Sequence, residues 1–238
     1  MNTPLLEPAF VLHTRAYRNT SLLVDLFTQN TGRITVVAKG VKQSKSALRS
    51  SLQMFQPLLV STYGHGELLG LKTAEIPTPF SMMPARYLAW GMYVNELLYR
   101  LLEKQDPYPN IFEHYYELLQ LFSDNVGEEK HLRIFERDLL SSLGYGLQLT
   151  QVSESHAPID LEAHYHFLFE KGPILAESTE LNHPFIFKGT SLLAIEQGVF
   201  ENEVALHDAK KLLRYAIQHL LGNKPIKSRE LFFGGSKK

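Results

Sequence analysis

Apolar and polar positions follow a short period over the first third of the chain and a helical period after it. Five brief runs rich in branched and aromatic residues come first, at 10–14, 22–27, 34–38, 58–63 and 68–73. Asn19-Thr20, Asn30-Thr31-Gly32, a basic stretch and Gly64-His65-Gly66 separate them. Short strands divided by such turn residues predict a small closed or half-closed β-barrel. Pro77, Pro79 and Pro84 then break the pattern. Tyr87, Trp90, Val94, Leu97, Leu98, Leu101 and Leu102 line one side of a helix starting near Pro84, where proline suits the first turn. Its early turns are apolar nearly all round, which predicts a buried central helix. A second helix is expected over 111–122. A third, over 128–143, keeps Leu132, Phe135, Leu139 and Leu143 on one face and stops at Gly144. Residues 145–188 are irregular, with a strand near 165–169 closed by Lys171-Gly172-Pro173. A short helix at 192–197 precedes a long one at 203–221, which packs Leu206, Leu213, Ile217 and Leu220 and is capped by Gly222. The reading is α+β: an OB-fold-like barrel over 1–80, then a mainly helical domain over 81–238 with a small irregular or β insertion at about 145–188.

The chemistry concentrates between the third and fourth strands. Lys39, Lys42, Lys45 and Arg49 are spaced with serines and no acid, so this stretch is expected to be a solvated loop or a short helical turn. Arg33, at the start of the preceding strand, joins them as a candidate DNA contact. A rigid strand feeding a basic loop fits a grip on a phosphate backbone. It fits equally a solvated loop with no partner. A nucleotide-binding P-loop is ruled out in this register, because Lys45 stands where the second glycine belongs.

Two further basic features follow. On the third helix, Lys130, Arg133 and Arg137 form one stripe with Ile134 beside them. That is either a solvated face or a dock for an acidic peptide. The last helix carries His207, Lys210, Lys211 and Arg214 opposite its apolar side, and Lys224, Lys227 and Arg229 come after it. Lys210, Lys211, Arg214, Lys224, Lys227 and Arg229 make a second basic surface and join the candidate DNA contacts. His156, His164, His166 and His183 fall in the irregular region, but no carboxylate or thiolate stands at metal-ligand spacing, so no metal is assigned.

Hydrophobic content of 44% and charged content of 21% are those of an ordinary globular protein. The absence of cysteine removes disulfides and thiolate metal sites. No leader pattern opens the chain and no apolar run reaches the roughly 18 residues of a membrane span. A cytoplasmic protein is expected. The net charge of −1 conceals an uneven distribution: +4 over residues 1–80, −9 over 81–185 and +4 over 186–238. Basic segments at both ends keep a nucleic-acid face possible despite the neutral average.

In order and spacing, a set of segments resembles the RecO family of bacterial recombination mediators. They are Ala9-Phe10-Val11-Leu12-His13, Thr20 through Thr28, Gly32-Arg33 with Val37-Ala38-Lys39-Gly40, and Tyr93-Val94-Asn95-Glu96-Leu97. Leu132 through Glu136, Leu143 through Gly146 and Lys227 through Leu231 complete the match over the full length. The resemblance implies an oligonucleotide-binding barrel followed by a helical domain. It implies a mediator that binds single- and double-stranded DNA, anneals complementary strands, and works with RecR so that RecA replaces single-strand-binding protein. It implies nucleoid association, no catalytic residues and no cofactor. Many relatives hold a four-cysteine zinc site after the third helix; without cysteine, this region is expected to rely on ordinary packing. The resemblance also places the acidic C-terminal tail of single-strand-binding protein on the helical domain, with Arg133 matching the basic residue involved. Two readings compete with it. A nuclease would need clustered carboxylates, whereas residues 1–80 offer only the scattered Glu7, Asp25, Glu67 and Glu75. A protein-only adaptor would leave the basic loops merely solvated.

Overall fold

The computed structural model describes residues 6–43, 47–177, 179, 182–222 and 224–233. It contains two compact units, one running to Gly127 and rejoined by the chain from Ile226 onward, the other Glu128–Pro225. Strands β1 (Glu7–Tyr17), β2 (Ser21–Thr28), β3 (Gly32–Ala38), β4 (Leu58–Tyr63) and β5 (Leu68–Glu75) close into a barrel in the order β1-β2-β3-β5-β4. All neighbours are antiparallel except β3 and β5. A bulge between Val11 and His13 bends β1, so that its start, Glu7 to Ala9, pairs with β4 while Ala9 to Tyr17 pair with β2. Ala9, Val11, Val24, Leu26, Ile34, Val36, Leu58, Val60 and Leu71 fill the interior. These small and branched side chains suit the narrow lumen of a five-stranded barrel.

The outer surface of the barrel is divided. Over one half, Phe10 and Phe27 lie against Phe112 and Tyr115 of helix α3 (Pro109–Ser123), with ring centroids 5.0–6.3 Å apart. Covering both faces explains why β2 is buried without interruption from Val24 to Thr28. Helix α2 (Ala85–Leu101) supplies Asn95, whose amide donates to the carbonyls of Val11 and Leu12 at 3.2 Å and whose oxygen accepts from the Tyr115 hydroxyl. This satisfies the carbonyls that the bulge takes out of the ladder. The early turns of α2 are not apolar all round in their setting: Leu88 and Arg86 are exposed. Because α2 and α3 belong to the compact unit of the barrel, residue 80 marks a change of secondary structure within that unit.

The segment from Ile226 returns to α2 and is held by one carboxylate. Glu96 accepts from the backbone amides of Lys227 (3.0 Å) and Ser228 (2.8 Å), which open a 3₁₀ turn at Lys227–Arg229, and from Arg100 (3.2 Å). Partial burial raises its pKa, but the hydrogen bonds from Ser228, Lys227 and Arg100 outweigh this, and the net position is below the ordinary 4.5. A carboxyl whose folded pKa is depressed stabilises the fold fully above its unfolded value and loses that contribution as pH falls through the folded one. The amide resonances of Lys227 and Ser228 are therefore expected to hold steady down to about pH 4.5 and to titrate below it. In Glu96→Gln that low-pH titration should vanish; amides that move identically in both proteins would remove Glu96 from the role.

The second unit joins α4 (Glu129–Ser142), α5 (Gly189–Gln197) and α6 (Glu203–Leu221) to a small sheet. Strands β6 (His164–Leu168), β7 (Gly172–Leu175) and β8 (Ile186–Lys188) lie in the order β7-β6-β8. Tyr165, Phe167 and Phe187 are buried there, and the Tyr165 hydroxyl accepts from the Asp160 amide at 2.8 Å. His166 and His183 lie with their ring centroids 4.3 Å apart and their planes tilted by 50°. Among the described residues, no group of three or more His, Asp or Glu is placed to hold a metal, and no helix is long and apolar enough to cross a membrane.

Candidate nucleic-acid interface

Strand register assembles the open half of the barrel surface. Arg15 of β1 stands opposite Leu23, Leu23 opposite Val37, Val37 opposite Gly70, and Gly70 opposite Tyr63. This row crosses all five strands on the side away from the barrel interior. Next to it, Tyr17, Arg18, Lys39, Tyr63, His65 and Leu68 line a cleft of about 290 Å³. Arg18 lies 5.2 Å from the centroid of the Tyr17 ring, and Lys39 lies 5.8 Å from that of Tyr63. Tyr63 is 46% exposed and Leu68 is exposed beside it. Aromatic surface bordered by cations is the composition that single-stranded nucleic acids find on OB-folds.

The turn that follows β3 is tighter than the expected loop. Gln43 donates its backbone N–H to Gly40 at 3.0 Å, and Lys42 donates its own to Thr20 across the β1–β2 turn at 3.0 Å. Val41 is buried in the barrel core between them. Lys39 and Lys42 are thus exposed on either side of a hydrophobic plug, which gives both cations a fixed origin. Arg49 is exposed on the short helix α1 (Ala47–Ser51), where Leu48, with Leu52 just after the helix, packs on the barrel core. Lys45 lies outside the described residues. Among those described, Arg15, Arg18, Lys39 and Lys42 form no ion pair. Of the acids in this part of the chain, Asp25 is buried and accepts from the Thr35 hydroxyl at 2.6 Å, and Glu67 is bonded to Lys104 at 3.1 Å.

Arg33 does not belong to this surface. Its Nε donates to the Leu102 carbonyl at 3.0 Å and its guanidinium lies 5.4 Å from the Tyr99 ring, so it secures the end of α2 against β3. Close packing there also explains Gly32, where a Cβ would fall 1.9 Å from the Asp106 carbonyl oxygen.

The expected solvated stripe on the third helix is corrected at its centre. Arg133 is 2% exposed and its Nη1 forms an ion pair at 2.8 Å with Oε2 of Glu136, which is fully buried one turn along α4. Lys130 pairs with Glu128 at 3.0 Å. Arg137 donates to Asp138 at 2.6 and 2.8 Å and to the Glu196 carbonyl at 2.9 Å. Ile134 is half-buried. The basic side of α6 is likewise engaged within its own unit. Lys210 bonds to Glu129 of α4 at 2.8 Å, and Lys211 lies 5.1 Å from the Phe187 ring. Burial raises the Glu129 pKa, but Lys210, Arg133 and Arg214 together bring it below the ordinary value. Lys210, Arg133 and Arg214 therefore neutralise an acidic end of α4 rather than presenting a basic face. Lys224 and Lys227 are exposed, in different units. Arg229 turns its guanidinium toward Tyr93 at 5.6 Å and is half-buried.

Arg15, Tyr17, Arg18, Tyr63 and His65 are absent from the sequence-based candidates. Alternation along 10–17 would have placed Arg15 and Tyr17 on one side of their strand. Their nearness to Tyr63 depends on register between strands far apart in sequence.

Known proteins resemble this chain throughout. Residues 1–80 match the family described as Recombination protein O N terminal, and residues 85–230 match Recombination protein O C terminal. A "DNA repair protein RecO" of Coxiella burnetii (strain CbuG_Q212) is 40% identical over 228 residues, 96% of this chain and 97% of the relative. Relatives of the same description from Nitrosococcus oceani and Haemophilus influenzae (strain 86-028NP) are each 41% identical. They span 95% of this chain and 92% and 95% of their own lengths.

Proposed function

This chain belongs to the RecO family of DNA repair proteins, and from that premise we propose that it is a recombination mediator that works by binding rather than by catalysis. It holds single- and double-stranded DNA on the open half of the barrel. It anneals complementary strands and, with RecR, helps RecA onto DNA covered by single-strand-binding protein. Its site of action is the cytoplasm, at the nucleoid. The observation that supports the barrel as the DNA-binding surface is the contrast between two sets of cations. Arg15, Arg18, Lys39 and Lys42 stand without acidic partners among the described residues, whereas Lys130, Arg133, Arg137 and Lys210 are each bonded to one. A cation already bonded to a carboxylate releases fewer counterions from DNA than an unpaired one. The acidic tail of single-strand-binding protein is assigned to the helical unit, with Lys130, Ile134 and Arg137 as its accessible contacts and Arg133 behind them.

The test is a salt titration of a fluorescent oligothymidylate by anisotropy. Three or four neutralised phosphates give a slope of log K on log salt of roughly −2 to −3. Annealing of complementary oligonucleotides should accelerate over the same range of salt in which they bind. A protein that binds neither single strands nor duplex at about 50 mM salt would instead be the protein-only adaptor, since phosphate contacts are strongest there.

A further inference from the structure

Where β5 crosses the open barrel face, the row of side chains is interrupted by Gly70. It stands between Val37 of β3 and Tyr63 of β4. A Cβ built on Gly70 would lie 2.2 Å from Cζ of Tyr63, 2.5 Å from Cε1 and 2.6 Å from Cε2. The shortest distance is to Cζ, and the two flanking carbons are almost equally near and only slightly farther. A point in the plane beyond the phenol end would be much farther from both ε carbons. The Gly70 backbone therefore sits beneath the face of the ring, and any side chain at 70 would lift the ring from the sheet. Tyr63 lies flat on β5, with nearly half of its surface still open to solvent.

A ring held in this way cannot serve the core: it is on the outside of the barrel and its inner face rests on backbone. Around it are Lys39, 5.8 Å from its centroid, and across the cleft Arg18 and the second aromatic, Tyr17. A flat aromatic surface flanked by cations matches one ligand, a nucleotide whose base is free to stack and whose phosphates lie to either side. We propose that Tyr63 is a stacking platform for an unpaired nucleobase, that Gly70 positions the ring, and that Lys39 and Arg18 hold the adjoining phosphates. Bases within a duplex are stacked on one another and cannot reach the ring, so this subsite favours single strands. The proposal rests on the DNA-binding reading above and can fail without it.

The test uses the full chain with an oligothymidylate and with a duplex of equal length. Tyr63→Ala should weaken single-strand binding about 5- to 150-fold, the range for one stacked base. Duplex affinity should be unchanged, and so should the slope on log salt, because no charge is removed. Tyr63→Phe should keep wild-type affinity, since it keeps the π face, and Gly70→Ala should reproduce the loss of Tyr63→Ala. Should Gly70→Ala not fold, the alanine and phenylalanine variants at 63 decide alone. Tyr63→Ala with wild-type single-strand affinity overturns the platform while leaving phosphate binding to the barrel intact. Equal losses on single strands and duplex also overturn it, because the ring would then only support the surface. Loss of all DNA binding by wild type at low salt would instead remove the reading on which it stands.

Discussion

Lys39→Glu combined with Lys42→Glu is expected to lower affinity for single strands by about tenfold per residue at low salt and to flatten the salt slope by about 1.4. A charge-assisted contact contributes about 1.5–3 kcal/mol, and exposure puts these lysines at the lower end. The slope is the more diagnostic of the two readings. It counts phosphates neutralised, about 0.7 for each on a single strand, and is insensitive to apolar contacts. Neither side chain contributes to the barrel's core, since Val41 between them provides the anchor, so the variant should unfold at the wild-type denaturant midpoint. A reversed pair with the wild-type slope would move the DNA elsewhere, with the exposed Lys224 and Lys227 as the next candidates.

Arg133→Met should destabilise the helical unit by about 3–5 kcal/mol, because it leaves the Glu136 carboxylate buried without the guanidinium charge paired with it. The double change Arg133→Met with Glu136→Leu removes both charges and fills the space with apolar atoms. Replacement of a buried pair in this way is often neutral or stabilising, so the double variant should recover most of the loss. Urea unfolding of the three proteins measures both effects. A single variant as stable as wild type would mean that water reaches Glu136 and that the pair is not buried in solution. The double variant also tests the tail-binding reading cleanly. If it binds an acidic tail peptide as wild type does, Arg133 makes no direct contact; Arg133→Ala alone confounds contact with stability.

The elements and their order are legible in the hydrophobic period of the chain. Periods of two and then 3.6, broken at Pro77–Pro84, predicted five strands followed by helices, and the barrel, α2 (Ala85–Leu101), α3, α4 and α6 all lie where that pattern placed them. Such periodicity is legible because it records which face of each element is buried. The exposed cations around Lys39 were legible for the same reason: a run of like charges has no core face to occupy. Which charges are free emerges only from packing. Arg133 lost its place on the solvated stripe because Glu136 lies one turn away on a packed face, and Lys210 because Glu129 stands opposite it on another helix. Arg33 bonds a carbonyl 69 positions away. Nor could the spacing of Tyr63, Gly70, Lys39 and Arg18 reveal their common cleft. They meet because β1, β2 and β3 pair antiparallel in turn, β3 runs parallel to β5, and β5 antiparallel to β4. Local pattern reports the period of burial, and pairing between distant elements decides what each exposed group faces.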